Sequence, residues 1–98
     1  IKPTGGTALA DGGLLNLGGA YDGIAFVYVG GQKQGAMLLL RGSSGVTVMS
    51  DSGNVFSNAK DTASKTNVYY ESSTIYLQNK TGSTRTYYVT ILGISSTF

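Results

Sequence analysis

The chain has 98 residues, of which 15 are glycine and one is proline, with no cysteine, histidine or tryptophan. At this length roughly 64% of the surface of the extended chain can be buried on folding, enough for one modest core and one domain. A hydrophobic content of 41% against 12% charged residues excludes an intrinsically unfolded chain, and the missing Cys and His exclude disulfides, thiolate chemistry, Ser and Cys hydrolase triads and the usual zinc sites.

The formal charge of +2 comes from seven scattered basic residues against five acids. No run of them could neutralise several neighbouring phosphates, so no nucleic-acid partner is expected. The apolar stretches around Ile24 to Val29 and Ala36 to Leu40 are far shorter than the roughly 20 residues that span a bilayer, so no membrane insertion is expected. Ile1-Lys2-Pro3-Thr4 carries neither an initiator Met nor a secretory signal. Residues 1–6 are read as a stalk-proximal linker to a longer protein, and residues 7–98 as a single head domain.

In chain order, residues 1–23 contain seven glycines around Leu14-Leu15-Asn16-Leu17, which predicts one short strand between flexible turns. From Ile24 onward, runs rich in Val, Ile, Tyr, Thr and Leu are closed by Gly, Ser, Asn or Asp. These runs predict strands over Ile24 to Val29, Ala36 to Arg41, Val46 to Ser50, Asn54 to Ser57, Thr66 to Glu71, Thr74 to Gln78 and Ser83 to Gly93. No window carries the apolar repeat of an amphipathic helix. The expected fold is all-β: a compact antiparallel β-sandwich, jelly-roll-like, of about eight short strands.

Ile24 to Val29 and Ala36 to Leu40 are apolar on both faces, which in an antiparallel sheet implies central burial or a second buried surface such as a subunit contact. The last two strands alternate cleanly instead. A hairpin loop Lys80-Thr81-Gly82, with Gly82 left-handed, would set Leu77 opposite Arg85 and Ile75 opposite Tyr87. It would place Ile75, Leu77, Tyr87, Val89 and Ile91 on the core face, and Thr74, Tyr76, Thr86, Tyr88 and Thr90 together on the other.

Asp11, Asp22, Asp51, Asp61 and Glu71 are the only acids. A glycosidase needs two of them across a cleft, but four lie in turn sequence, where an Asp carboxylate ordinarily bonds to backbone two residues on. No enzymatic activity is expected. Asp51-Ser52-Gly53-Asn54 resembles the start of a calcium loop but lacks the further acids, and reads as a turn. Gly42-Ser43-Ser44-Gly45 lacks the Lys of a phosphate-binding loop and reads as a hairpin turn. Asn79-Lys80-Thr81 matches the glycosylation pattern, which short sequences often do, and carries no weight. No cofactor or metal is expected.

Seven of the ten aromatics are tyrosines, residues that combine an apolar ring with a hydrogen-bonding hydroxyl and are enriched at recognition surfaces. Alternation predicts one inward and one outward ring in each of Tyr69-Tyr70 and Tyr87-Tyr88. The candidate ligand-binding set is Tyr76, Tyr88, Thr74, Thr86 and Tyr69, with Lys60 and Asp61 from the polar segment Ser57 to Lys65, an exposed loop. Ordinary cross-strand packing of the tyrosines and a plain connector loop are the alternatives.

The run from Thr74 to Gly93, closing a Cys-free and His-free β domain after a glycine-rich start, resembles the C-terminal heads of bacteriophage tail fibres and tailspikes. That resemblance implies a homotrimeric virion head, made in bacterial cytoplasm, which adsorbs to a host cell-surface glycan. It supplies no site motif that maps residue by residue. A purely structural trimerisation or capping domain and a small carbohydrate-binding module of an enzyme are the competing readings.

Overall fold

A computed structural model describes residues 6–19 and 22–93. Residues 1–5 of the expected linker at 1–6, Ala20, Tyr21 and the last five residues lie outside them. Nine strands follow in order: β1 (Thr7–Leu9), β2 (Leu14–Gly19), β3 (Asp22–Val29), β4 (Gln34–Arg41), β5 (Val46–Asp51), β6 (Phe56–Ser57), β7 (Thr66–Glu71), β8 (Thr74–Asn79) and β9 (Arg85–Gly93). The one helical turn among the described residues is Gly42–Ser44, which joins β4 to β5 as the hairpin turn expected there. No described helix is long and apolar enough to cross a membrane.

The strands form two sheets, one of five strands in the order β1-β9-β3-β4-β5 and one of four in the order β2-β8-β7-β6. All pairings are antiparallel except the two-residue contact of β6 with β7. The fold is the expected β-sandwich. Its jelly-roll character lies in the ends of the chain, where β1 pairs with β9 and β2 with β8. Thr7–Leu9 had no strand signal of its own, since three residues are too short for a period to show; the exposed edge of β9 recruits it.

Between the sheets lies the core: Ala25, Val27 and Val29 of β3, Leu38 and Leu40 of β4, Val46, Phe56, Val68, Ile75, Leu77 and Tyr87. Each strand contributes alternate residues, as the pleat requires. Tyr87 is buried whole, and its hydroxyl meets Thr66 Oγ1 at 2.7 Å, a hydrogen bond that ties β9 of one sheet to β7 of the other. Burial pushes the Tyr87 phenol pKa up, against the opposing pull of the Thr66 bond and the Arg85 charge.

The structure corrects the pairing of the last two strands. β8 and β9 do not form a hairpin: β8 pairs with β2 and β7, while β9 pairs with β1 and β3. The inward and outward assignments survive, with Ile75, Leu77 and Tyr87 fully buried and Val89 and Ile91 packed against them. The reason is geometric. An alternating pattern says which side chains face the core, and two strands satisfy it equally well side by side or facing each other across the core.

The crossing from one sheet to the other is held by Asn79, which is fully buried. Its Nδ2 donates to Leu9 O and Ser83 O, both at 2.8 Å, and its Oδ1 accepts from the Thr81 N–H and hydroxyl. Gly82, at φ 95°, makes the left-handed turn expected of it, though in an arch rather than a hairpin, and its N–H donates to Asp11 Oδ1. A side chain so enclosed is no glycosylation acceptor in the folded chain.

Candidate functional site

Because β8 and β9 belong to different sheets, the candidate set divides between the two outer faces of the sandwich. Tyr88 and Thr86 lie on the five-stranded sheet. Thr74, Tyr76 and Tyr69 lie on the four-stranded sheet, where Lys60 and Asp61 join them. The single platform expected from Tyr76 and Tyr88 therefore does not form.

The outer face of the five-stranded sheet is built by cross-strand rows. Gly35, Tyr28 and Tyr88 align in one row, Met37, Phe26 and Thr90 in the next, and Leu39, Ile24 and Leu92 in a third. Phe26 (42% exposed), Tyr28 (47%), Tyr88 (40%) and Leu92 (48%) stand open to solvent. This is the second apolar surface expected from the two-sided strands. None of these three rows contains a charged side chain; Asp22 and Arg41 pair one row further along.

Local sequence explains the relief of this face. The Tyr88 ring sits against two glycines: a Cβ on Gly6 would stand 2.8 Å from it and one on Gly30 would stand 3.0 Å away, so any larger residue displaces the ring. It tilts toward Tyr28, with centroids 6.4 Å apart. Gly35, with no side chain opposite Tyr28, leaves a notch, and the surrounding rings and Met37 line an open groove of about 500 Å³ with the Thr90 and Ser50 hydroxyls at its side. Phe26, Tyr28 and Met37 were missing from the candidate set, although the two-sided apolar pattern of β3 and β4 marked them.

The outer face of the four-stranded sheet is polar and roofed over β7 and β8, while Leu14 of β2, beside Gln78, stands 49% exposed. Asn67, Tyr69 and Gln78 point away from the core yet are buried, with Asn67 at 0% and Tyr69 at 5% exposure. The segment Ser57 to Lys65 covers them. The Asp61 N–H donates to Gln78 Oε1 and Gln78 Nε2 donates to Asp61 Oδ1, both at 2.8 Å. Asn67 Nδ2 donates to Thr62 O and Gln78 Oε1. Lys60 Nζ reaches Glu71 at 2.8 Å in an exposed ion pair; the hydrogen bond to Glu71 holds the Lys60 pKa above the ordinary lysine value.

Beside this segment Tyr69 and Tyr76 face each other, ring centroids 5.8 Å apart. Burial pushes the Tyr69 phenol pKa up, with the nearby Lys60 charge opposing. The four-stranded face thus gathers Tyr69, Tyr76, Lys60 and Asp61.

Four of the five acids, Asp11, Asp51, Asp61 and Glu71, are occupied in turns and pairs. Asp51 accepts from the N–H groups of Gly53, Val55 and Phe56, and so organises the connection from β5 to β6. Burial pushes its carboxyl up, but those three donors and the Lys65 charge together hold it below the ordinary carboxylate value. Asp51-Ser52-Gly53-Asn54 is accordingly a turn. Among the described residues no three acids come together as a metal site would require.

The class these observations define is an all-β sandwich with one bare apolar face and one roofed polar face. In comparisons with known proteins no family model, no curated protein and no solved structure matches the chain.

Proposed function

We propose that the domain is a non-enzymatic assembly head of a fibre or spike, in the manner of phage tail proteins, and that its apolar sheet face packs against further copies of the same chain. The carrying observation is the uncharged surface of Ile24, Phe26, Tyr28, Met37, Leu39, Tyr88 and Leu92 on the five-stranded sheet. Three rows across three strands, with their side chains, amount to an area on the order of 400 Å², the size of the largest apolar patch of an ordinary monomer, which is often functional. Aliphatic groups and a thioether predominate over hydrogen-bonding groups there, which suits a protein surface better than a sugar. A second copy is the occupant of choice because the patch carries no charge that would call for a complementary partner, and copies around one axis can all bury it together.

This reading favours assembly over the receptor-binding role expected from a joint Tyr76 and Tyr88 platform. Light scattering coupled to gel filtration tests it: the domain runs as a trimer at micromolar concentration, and a Phe26→Asp, Leu92→Asp double variant runs as a folded monomer. A monomeric parent chain would overturn it. Host-glycan adsorption remains a second reading, supported by the gathering of Tyr69, Tyr76, Thr74, Lys60 and Asp61 on the opposite face, and Tyr76→Ala tests it by abolishing adsorption while leaving the trimer intact.

A further inference from the structure

The segment over the four-stranded sheet has an unusual means of attachment. From Ser57 to Lys65 it contains no apolar side chain larger than alanine, so no hydrophobic contact of its own holds it down. The ends are anchored: Asn58 Nδ2 donates to Val46 O at 2.8 Å, and the Ser64 N–H donates to Lys80 O at 3.0 Å. Between those anchors the links to the sheet are polar, through Asp61 to Gln78, Thr62 to Asn67, and Lys60 to Glu71.

Cross-strand register shows what lies beneath. Asn67 pairs with Gln78, Tyr69 with Tyr76 and Glu71 with Thr74, in three successive rows. The segment is latched at the first row by Asp61 and at the third by the Lys60 side chain, which therefore spans the middle row beside the buried Tyr69 ring. Two atoms in this covered region, Asn67 Oδ1 and the Tyr69 hydroxyl, are buried with no hydrogen-bond partner. Asp61 and Ser64, neither of them glycine, hold left-handed backbone at φ 63° and 65°. Closing the segment therefore leaves two polar groups unsatisfied and two residues in a sparsely populated conformation, which weakens the closed state.

We propose that residues 59–63 form a polar flap that opens locally, pivoting between the anchors at Asn58 and Ser64, and that opening uncovers the Tyr69 ring and the carboxamides of Asn67 and Gln78. The open state gives Asn67 Oδ1 and the Tyr69 hydroxyl access to hydrogen-bonding partners that the closed state denies them. This holds whether or not the opposite face assembles copies, since the flap and its latches lie wholly on the four-stranded sheet.

Amide hydrogen exchange on the intact chain tests it. The Asp61 amide, whose closed-state acceptor is Gln78 Oε1, exchanges at least about tenfold faster than the ladder amides of β7 and β8, because it reports local opening rather than global unfolding. Asp61→Gly, which keeps the left-handed turn but removes the carboxylate that Gln78 bonds, speeds exchange across 59–63 and leaves the ladder amides unchanged. Tyr69→Phe removes a hydroxyl unsatisfied only when the flap is shut, so it slows exchange at Asp61. Exchange of Asp61 in step with the ladder amides, or acceleration by Tyr69→Phe, would overturn the proposal.

Discussion

The two outer faces of this sandwich share a backbone geometry and differ in nearly everything else. On the five-stranded sheet, large apolar side chains stand in solvent with nothing over them. On the four-stranded sheet, carboxamides and a tyrosine point outward and yet are buried, because a polar segment folds back on them and bonds to them. Burial on the second face comes from hydrogen bonding within the chain. Exposure on the first leaves apolar area whose removal from water is still available as a driving force.

That contrast can be broken from either side. The largest effect is expected on the bare face, where Phe26→Asp places a charge in the centre of the proposed contact. Self-association weakens at least about 100-fold, as for loss of a hot-spot aromatic, while urea midpoints of the isolated domain stay nearly unchanged; sedimentation and denaturation measure the two. Under the roof the order reverses. Gln78→Leu removes the acceptor of the Asp61 N–H and one partner of Asn67, which lowers the unfolding free energy by about 2 to 3 kcal/mol without altering oligomeric state.

The seam between the sheets is intermediate. Asp51→Asn weakens three bonds to backbone N–H groups and costs about 1 to 2 kcal/mol at neutral pH, read from chemical denaturation. The folded pKa of Asp51 is depressed, so its contribution is present above the unfolded carboxylate value near 4 and is lost as pH falls through the folded value. The stability of the parent chain should therefore decline below about pH 4 more steeply than that of the Asn variant. Smallest is Lys60→Met: its ion pair with Glu71 is open to water, so no change in urea midpoint is expected.

Alternation and turn chemistry carried much of the architecture. Thr66–Glu71 begins and ends where its β-branched and aromatic run does, and Gly42 to Gly45 turns where its glycines allow. The inward set of β8 and β9 was readable for the same reason, because a period of two separates faces without reference to partners. Partner choice was not readable. Thr74 to Gly93 satisfies a hairpin on paper; what opposes it is Asn79, whose side chain bonds Leu9 O some 70 residues earlier, a contact no local pattern can announce.

The candidate site divides along the same line. The exposed apolar surface was visible as two-sided strands, and Tyr88 was assigned outward correctly. Tyr76 and Tyr88 were joined only through the wrong pairing. Alternation required one outward ring of the Tyr69-Tyr70 pair, and Tyr69 is that ring, but its burial depends on where the Ser57 to Lys65 segment lies, and a stretch of small polar residues carries no signal of the surface it will cover.

The position of β9 also bears on the order of events in folding. It is the last strand of the described chain, and it fills the slot between β1 and β3 in the five-stranded sheet. Until it arrives, β1 has no neighbour and β3 shows an unpaired edge beside an apolar surface, the kind of edge that invites pairing with other chains. That sheet can close only once residues as far apart as Thr7 and Gly93 have come together, so its closure is a non-local and comparatively slow event. Any association of copies through the row of Tyr28 and Tyr88 must wait for it, because half of that row comes from β9.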